Sequence, residues 1–353
     1  MKTGFFLVAA SVAAALWLDT TVPLKPVERS VYLMGTRAHL ITYATERDEG
    51  IEALEVMSQV LDSAEHHLST WRDDSAVSAI NHHTVGVPHR VDQVLCDTLA
   101  SLYQWHKTTS GTFDPAIGRL IEAWDLRGQG HLASDTDLVQ AKRLSGLQYF
   151  EFSHKTCSIL RTRDVTLDAG GFGKGDALDR VTRVLPEMPW LIDLGGQITV
   201  GAPPPTEVGW EVSIAHPLNR DEPWLQILLK NGSLATSAGS ERDLHIAGHR
   251  VGHILDPRTG RPAAFKGSVT VQHPSSLVPD ILSTALYVMG PEEGLLWAEA
   301  HGINACYLIP QASGLVEIKM TSGFKLLEPQ LTHTATTDRP TLGFNNHFGA
   351  LQQ

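Results

Sequence analysis

Apolar positions along this chain fall into two regimes. In the first half they recur at helical spacing, through Leu54, Met57, Val60 and Leu61 in residues 51–68 and again through Val91, Leu95, Leu99 and Leu102. Steps of three and four predict two amphipathic helices packed on a sheet. A strand is expected before them, over residues 31–43 around Met34-Gly35-Thr36. From about residue 165 the pattern shortens to strands at 165–168, 190–194, 210–214, 225–229 and 268–272, separated by glycine-rich turns. Helices are expected at 175–184, 280–288 and 292–300, and further strands at 303–309 and 315–319. The plan is mixed α+β without an internal repeat. Pro203-Pro204-Pro205 and residues 128–130 read as exposed loops, because periodic segments resume soon after each. The stretch after Thr332 is poorly patterned, so residues 336–353 are expected to form a loosely ordered tail.

The N-terminus departs from this pattern. Lys2 is followed by an apolar run from Phe5 to Leu18 and then by Asp19, a signal-like arrangement shorter than the ~20 residues of a comfortable membrane span. Residues 1–25 therefore read as a signal peptide or an N-terminal anchor, with a buried helix of a cytoplasmic protein as the plain alternative. No clean small-residue cleavage site precedes Asp19. Export is the expectation, to the periplasm, with inner-membrane attachment if the segment is retained.

Composition adds two constraints. At 353 residues, 42% hydrophobic and 19% charged, the chain is globular, and its formal charge of -11 argues against nucleic acid as a partner. An acidic protein that handles phosphates needs a metal ion or local basic groups. Cys96, Cys157 and Cys306 are odd in number, widely spaced and lack a C-x-x-C pair. They read as small buried apolar residues, not as a metal or redox site.

Four segments carry candidate chemistry. The run from Val165 to Asp176 contains Asp168, Gly170, Gly171, Gly173, Lys174 and Gly175, a glycine-dense turn entering a helix. Such a turn exposes backbone N–H groups to an anion, although a plain tight turn has the same composition. It is neither a Walker A loop nor a G-x-G-x-x-G fingerprint. Ile192 to Gln197 is a second glycine turn, read either as close backbone packing against the first or as a β-bulge. In Gly252 to Gly260, His253 stands three residues before Asp256, which could orient it as a general base; among seventeen histidines a structural role is the bland alternative. In the fourth, Asp280 and Thr284 lie four apart on one helical face and offer hard oxygens to Mg²⁺, or Asp280 is simply an N-cap.

Together these segments resemble the ApbE family of flavin transferases. The resemblance rests on Met34-Gly35-Thr36; Ser69-Thr70-Trp71 with Ser75 and Asn81; Gly111 to Gly118; Asp168 to Gly175; Leu194-Gly195-Gly196; Thr236-Ser237; His253 to Gly260; and Asp280 to Thr284, all in family order. It implies an ApbE-like fold of mixed sheets with flanking helices and a T-fold-like core, over residues 26–335, with the FAD site between its two halves. FAD would be lined by Met34, Trp71, Thr112, Phe113, Asp114, Asp168, Lys174, His253 and Ile254. Magnesium would be held by Gly171, Asp280 and Thr284, with Lys174 neutralising phosphate, His253 as base and Asp256 as its orienter. The implied activity is transfer of FMN from FAD to a threonine or serine of an acceptor redox protein, with AMP released. FAD hydrolysis to FMN and AMP, or flavin binding without catalysis, are the alternatives. The chain departs from the family at Trp71, where tyrosine is usual, at Gln197 and Pro279, and in the segment Ala238-Gly239-Ser240, which lacks the customary aromatic nearby.

Overall fold

A computed structural model describes residues 23–239, 243–246 and 248–327. The expected leader up to residue 22 and the tail after Thr332 lie outside the described residues. The chain opens with β1 (Lys25–Leu33) and β2 (Thr36–Ala44), then α1 (Arg47–Leu68), α2 (Ala76–His82), β3 (His89–Arg90), α3 (Gln93–Thr108), α4 (Gly118–Ala123) and α5 (Asp135–Arg143). After a 3-10 turn come β4 (Phe150–Ser153), β5 (Ser158–Arg161), α6 (Gly173–Val184), β6 (Trp190–Leu194) and β7 (Gln197–Val200). The remainder is β8 (Trp210–His216), β9 (Asn219–Leu229), β10 (Gly232–Ala238), β11 (Leu244–Ile246), β12 (His249–Val251), β13 (Leu255–Asp256), β14 (Arg261–Pro262), β15 (Ser268–His273), α7 (Leu277–Ala300), β16 (Asn304–Pro310) and β17 (Val316–Met320).

One eight-stranded sheet, ordered β1-β2-β6-β7-β10-β15-β16-β17, organises the molecule, and every neighbouring pair is antiparallel. Strand alternation gives it two apolar faces. Leu40 and Ile192 point into a cluster with Leu54, Met57 and Leu61 of α1 and Leu178 and Val181 of α6. Their neighbours Ile41 and Leu191 point the other way, against Trp210, Val212, Ile214, Ile227 and Leu229 of the β8–β9 hairpin. Helix α7 continues the helical layer over β15 and β16, where Val269, Val271, Ala305 and Tyr307 meet Ile281, Leu282 and Ala285. The mixed α+β plan read from the sequence is the fold observed. Side-chain caps set the helix starts: Ser75 accepts Ser78 N and Asp92 accepts Leu95 N, each at 2.9 Å.

Several local expectations are corrected. Residues 31–43 form a hairpin, not a strand, because Met34 (φ 53°) and Gly35 (φ 68°) both take the left-handed conformation of a two-residue turn. Gly195 and Gly196 (φ 60° and 87°) make the same kind of turn between β6 and β7, with no bulge. Residues 165–168 form no strand and belong to no sheet. The side-chain amide of Asn81 takes the place of a partner strand, accepting Leu167 N at 2.7 Å and donating to Leu167 O at 2.9 Å. Pro115 O accepts Asp168 N at 2.7 Å. The helices expected at 280–288 and 292–300 are the two arms of α7, broken by Gly290 (φ 78°) before Pro291.

The cysteine expectation holds only for the buried thiol Cys306. Cys96 and Cys157 form a disulfide, with Cα atoms 5.3 Å apart, that ties the start of α3 to the turn between β4 and β5. Their separation of 61 residues hid the pairing from any local motif.

Candidate functional site

Helices α6 and α7 meet at Gly175. A Cβ there would lie 2.5 Å from Ser276 O and 2.8 Å from Asp280 Cβ, so only glycine permits the contact. The approach lets Asp280 Oδ2 accept the Gly175 amide at 2.9 Å. Asp280 is therefore not the N-cap of its own helix, which begins at Leu277 after Ser276; it satisfies a first-turn amide of α6 instead. Its other oxygen faces Lys174 Nζ at 3.5 Å, and the same ammonium stands 3.5 Å from Gln197 Oε1. Asp280 is only 4% exposed, so this carboxylate is held dry beside a cation.

One turn further along α7, Thr284 donates its hydroxyl proton to Asp280 O at 3.2 Å, which leaves its oxygen lone pairs for another partner. Gly171 lies against it: a Cβ on Gly171 would fall 3.5 Å from Thr284 Oγ1 and 3.4 Å from the Phe113 ring. Gly171 thus neighbours Thr284, which is bonded to the backbone of Asp280. Carbonyl, carboxylate and hydroxyl are hard oxygen donors, and such a set fits Mg²⁺. Among the described residues no group of three or more His, Cys, Asp or Glu side chains forms a metal cluster.

Asp168 opens the glycine turn. Its Oδ1 accepts Gly170 N at 2.8 Å, and its Oδ2 pairs with Arg127, a residue the sequence reading missed. Arg127 also donates to Thr70 Oγ1 at 2.6 Å and lies 5.1 Å from the Trp71 ring centroid, a cation–π contact. Trp71, 70% exposed, is thereby tied through Arg127 to Asp168. Met34 sits in the β1–β2 turn, its amide donating to Glu65 Oε2 at 2.7 Å, and its Cε would lie 3.7 Å from a Cβ on Gly173.

Around Phe113 the polar groups are engaged internally. Thr112 Oγ1 donates to Thr109 O at 3.0 Å, and Asp114 accepts Ala116 N at 2.8 Å and Leu147 N at 3.1 Å. Burial pushes the Asp114 carboxyl above its usual range, against the opposing pull of His106 and of these two amides. His106 also hydrogen-bonds Phe113 O at 3.0 Å.

The His253 segment lies outside the main sheet, on the hairpins β11–β12 and β13–β14. Asp256 does not orient His253. Its Oδ1 accepts Arg258 N at 2.9 Å and Nε at 3.0 Å, its Oδ2 accepts Nη2 at 3.1 Å, and its carbonyl accepts Gly260 N at 2.8 Å. It shapes the Asp-Pro-Arg-Thr-Gly turn. The residue holding His253 is Asp243, whose Oδ1 lies 2.7 Å from His253 Nδ1 and 3.0 Å from His253 N. No motif flagged Asp243, because its partner is ten residues away across a hairpin. Ile254 packs against the core and accepts Ala263 N at 2.9 Å.

These loops close around a small cleft. Phe113, Asp168, Gly171 and Thr284 line one side, and Leu255 and Pro257 bring the His253 segment to its rim. Met34, Trp71, Lys174, His253 and Ile254 do not line that cleft and border the same loops.

The chain is 27% identical over 330 residues, 88% of its length and 94% of the relative's, to a protein of Klebsiella pneumoniae named FAD:protein FMN transferase. A protein of Salmonella typhimurium with the same name is 26% identical over 292 residues, covering 80% of this chain and 83% of the relative. The solved structure of the flavin transferase ApbE from Vibrio cholerae superposes with a TM-score of 0.76 at 25% identity, covering 86% of this chain and 99% of that one. That of the ApbE protein from Thermotoga maritima gives 0.78 at 25% identity, covering 84% and 97%. The ApbE family model matches residues 34–307, which takes in the glycine turn, the His253 segment and the Asp280–Thr284 pair, and so the chain belongs to the ApbE family.

Proposed function

We propose that this chain transfers the FMN half of FAD to a threonine or serine hydroxyl of an acceptor protein and releases AMP. The observation that carries the reading is that Thr284, hydrogen-bonded to the backbone carbonyl of Asp280, stands beside Gly171, while the dry Asp280 carboxylate one turn away faces Lys174. Gly171 O, Asp280 and Thr284 would hold Mg²⁺, which when bound supplies neutralising charge at the diphosphate. Phosphoryl transfer asks little covalent work of a protein and much positioning. Lys174 offers its cation to the phosphates, Phe113 and Trp71 offer aromatic faces to the flavin, and His253 accepts the proton of the attacking hydroxyl.

We place the chain outside the cytoplasm, in the periplasm, held at the membrane if the leader is retained. The signal-like N-terminus and the Cys96–Cys157 disulfide support that placement, since such bonds persist in oxidising compartments. The acceptor would be an exported redox protein with an accessible threonine or serine.

The test is mass spectrometry of a threonine-bearing acceptor peptide incubated with the chain, FAD and Mg²⁺. A covalent gain of one FMN, abolished by EDTA and by Asp280→Ala, is the expected result. Free FMN and AMP without adduct would replace transfer by hydrolysis, and intact bound FAD would reduce the chain to a flavin binder.

A further inference from the structure

We infer that Asp243 is the positioning residue of the catalytic base, fixing the tautomer of His253. The inference rests on the transferase reading above and on His253 as its base. Three observations carry it. In the β11–β12 hairpin Leu244 pairs with Val251, so the register sets Asp243 across from residue 252, one step from His253. One oxygen of Asp243 then receives both the backbone amide of His253 at 3.0 Å and its Nδ1 at 2.7 Å, which fixes main chain and ring together. Finally, the Asp243 side chain is 3% exposed and the imidazole 25%, so the carboxylate is behind the ring and the ring reaches toward solvent. Gly252 leaves the approach open, since even a Cβ there would stand 4.0 Å from Asp243 Oδ1.

A carboxylate accepts only hydrogens, so Nδ1 carries one and Nε2 presents its lone pair. Nε2 has no hydrogen-bond partner among the described residues. In the transfer step the acceptor oxygen bonds to the FMN-side phosphorus, and its proton passes to Nε2. The bond from that phosphorus to the bridging oxygen breaks, and AMP leaves with that oxygen. The imidazolium formed is stabilised by the Asp243 carboxylate behind it. Asp256, committed to Arg258 and its own turn, is not placed for this.

The experiment compares kcat and the FAD KM of the full chain with those of Asp243→Asn, His253→Ala and the double variant, using FAD, Mg²⁺ and a threonine-bearing acceptor peptide. Asp243→Asn is expected to lower kcat about a hundredfold, the scale on which groups orienting a catalytic imidazole act, with KM unchanged. In the His253→Ala background the same change should cost less than about twofold, because positioning has no further effect once its object is gone. Full multiplication of the two losses would make Asp243 a structural residue and overturn the proposal. Full activity in His253→Ala would instead remove the base reading itself, and no transfer by the unaltered chain would remove the transferase reading. A second measurement stands even if Asp243→Asn folds poorly: in the ¹⁵N-histidine-labelled chain, His253 should be the Nδ1–H tautomer, and an Nε2–H resonance would overturn the assignment.

Discussion

One wall of the site carries Lys174, Asp280 and Thr284 on α6 and α7, packed over the eight-stranded sheet; the other carries His253 on two hairpins, each a two-stranded sheet of its own. The first wall is fixed by close backbone approach at Gly175 and by a carboxylate that bonds across helices. The second is fixed by a satellite cluster, in which Val251 and Leu255 meet Leu120, Trp124, Leu138 and Ala141, and by Asp243. The groups proposed to meet the diphosphate thus sit on helices packed over the sheet, while the proposed base sits on hairpins outside that sheet, joined to the main core through Ile254 and Ala263.

The comparison breaks most visibly at Gly175. Gly175→Ala forces a methyl into the Ser276 carbonyl and the Asp280 Cβ, and should cost more than about 3 kcal/mol of stability and about a hundredfold in kcat/KM, read by denaturant melts and steady-state transfer. Next comes the disulfide, which lies on neither wall. Cys96→Ser with Cys157→Ser should lower stability by about 3 kcal/mol while leaving the kcat of the folded protein within about twofold. A kcat loss there would show that the walls depend on α3 more than their contacts indicate. In the satellite wall, Gly260→Ala meets a left-handed position (φ 75°), the buried Leu120 side chain and the yielding Lys142 stem, so about 2 kcal/mol and a fewfold change in activity are expected. A loss as large as that of Gly175→Ala would erase the distinction.

The smallest effect concerns pH. His273, just before α7, is held below its ordinary range by burial, against the pull of Asp179, and its Nδ1 accepts Ser275 N at 3.0 Å, which only a neutral nitrogen can do. A depressed folded-state value contributes stability above the unfolded value of about 6.5 and loses it as pH falls. Thermal melts between pH 7.5 and 5 should therefore fall less steeply for His273→Asn than for the unaltered chain.

What the sequence revealed divides along the same line. Asp280 and Thr284 were legible because four-residue spacing on a helix is a local property, and α1, α3 and β15 were legible through period alone. Asn81 as a substitute for a strand, Asp243 behind His253 and the Cys96–Cys157 bond were not, because each joins distant positions through a side chain and leaves no periodic trace. The segment 165–168 misled for a related reason: its residues favour extended backbone, and nothing local says whether a neighbouring strand or an amide will satisfy it. Met34 hid a turn because a non-glycine residue at positive φ departs from the usual turn chemistry.

Among the described residues the sheet ends in two strands without an outer partner, β1 and β17. Such rims invite a second copy to add on and start a fibre. Here one rim carries Lys25, Pro26, Glu28 and Arg29, and the other Glu317 and Lys319. A copy arriving edge-on would meet a proline with no N–H to give and would have to strip water from charges of both signs, so these rims disfavour edge-to-edge addition to a long antiparallel sheet.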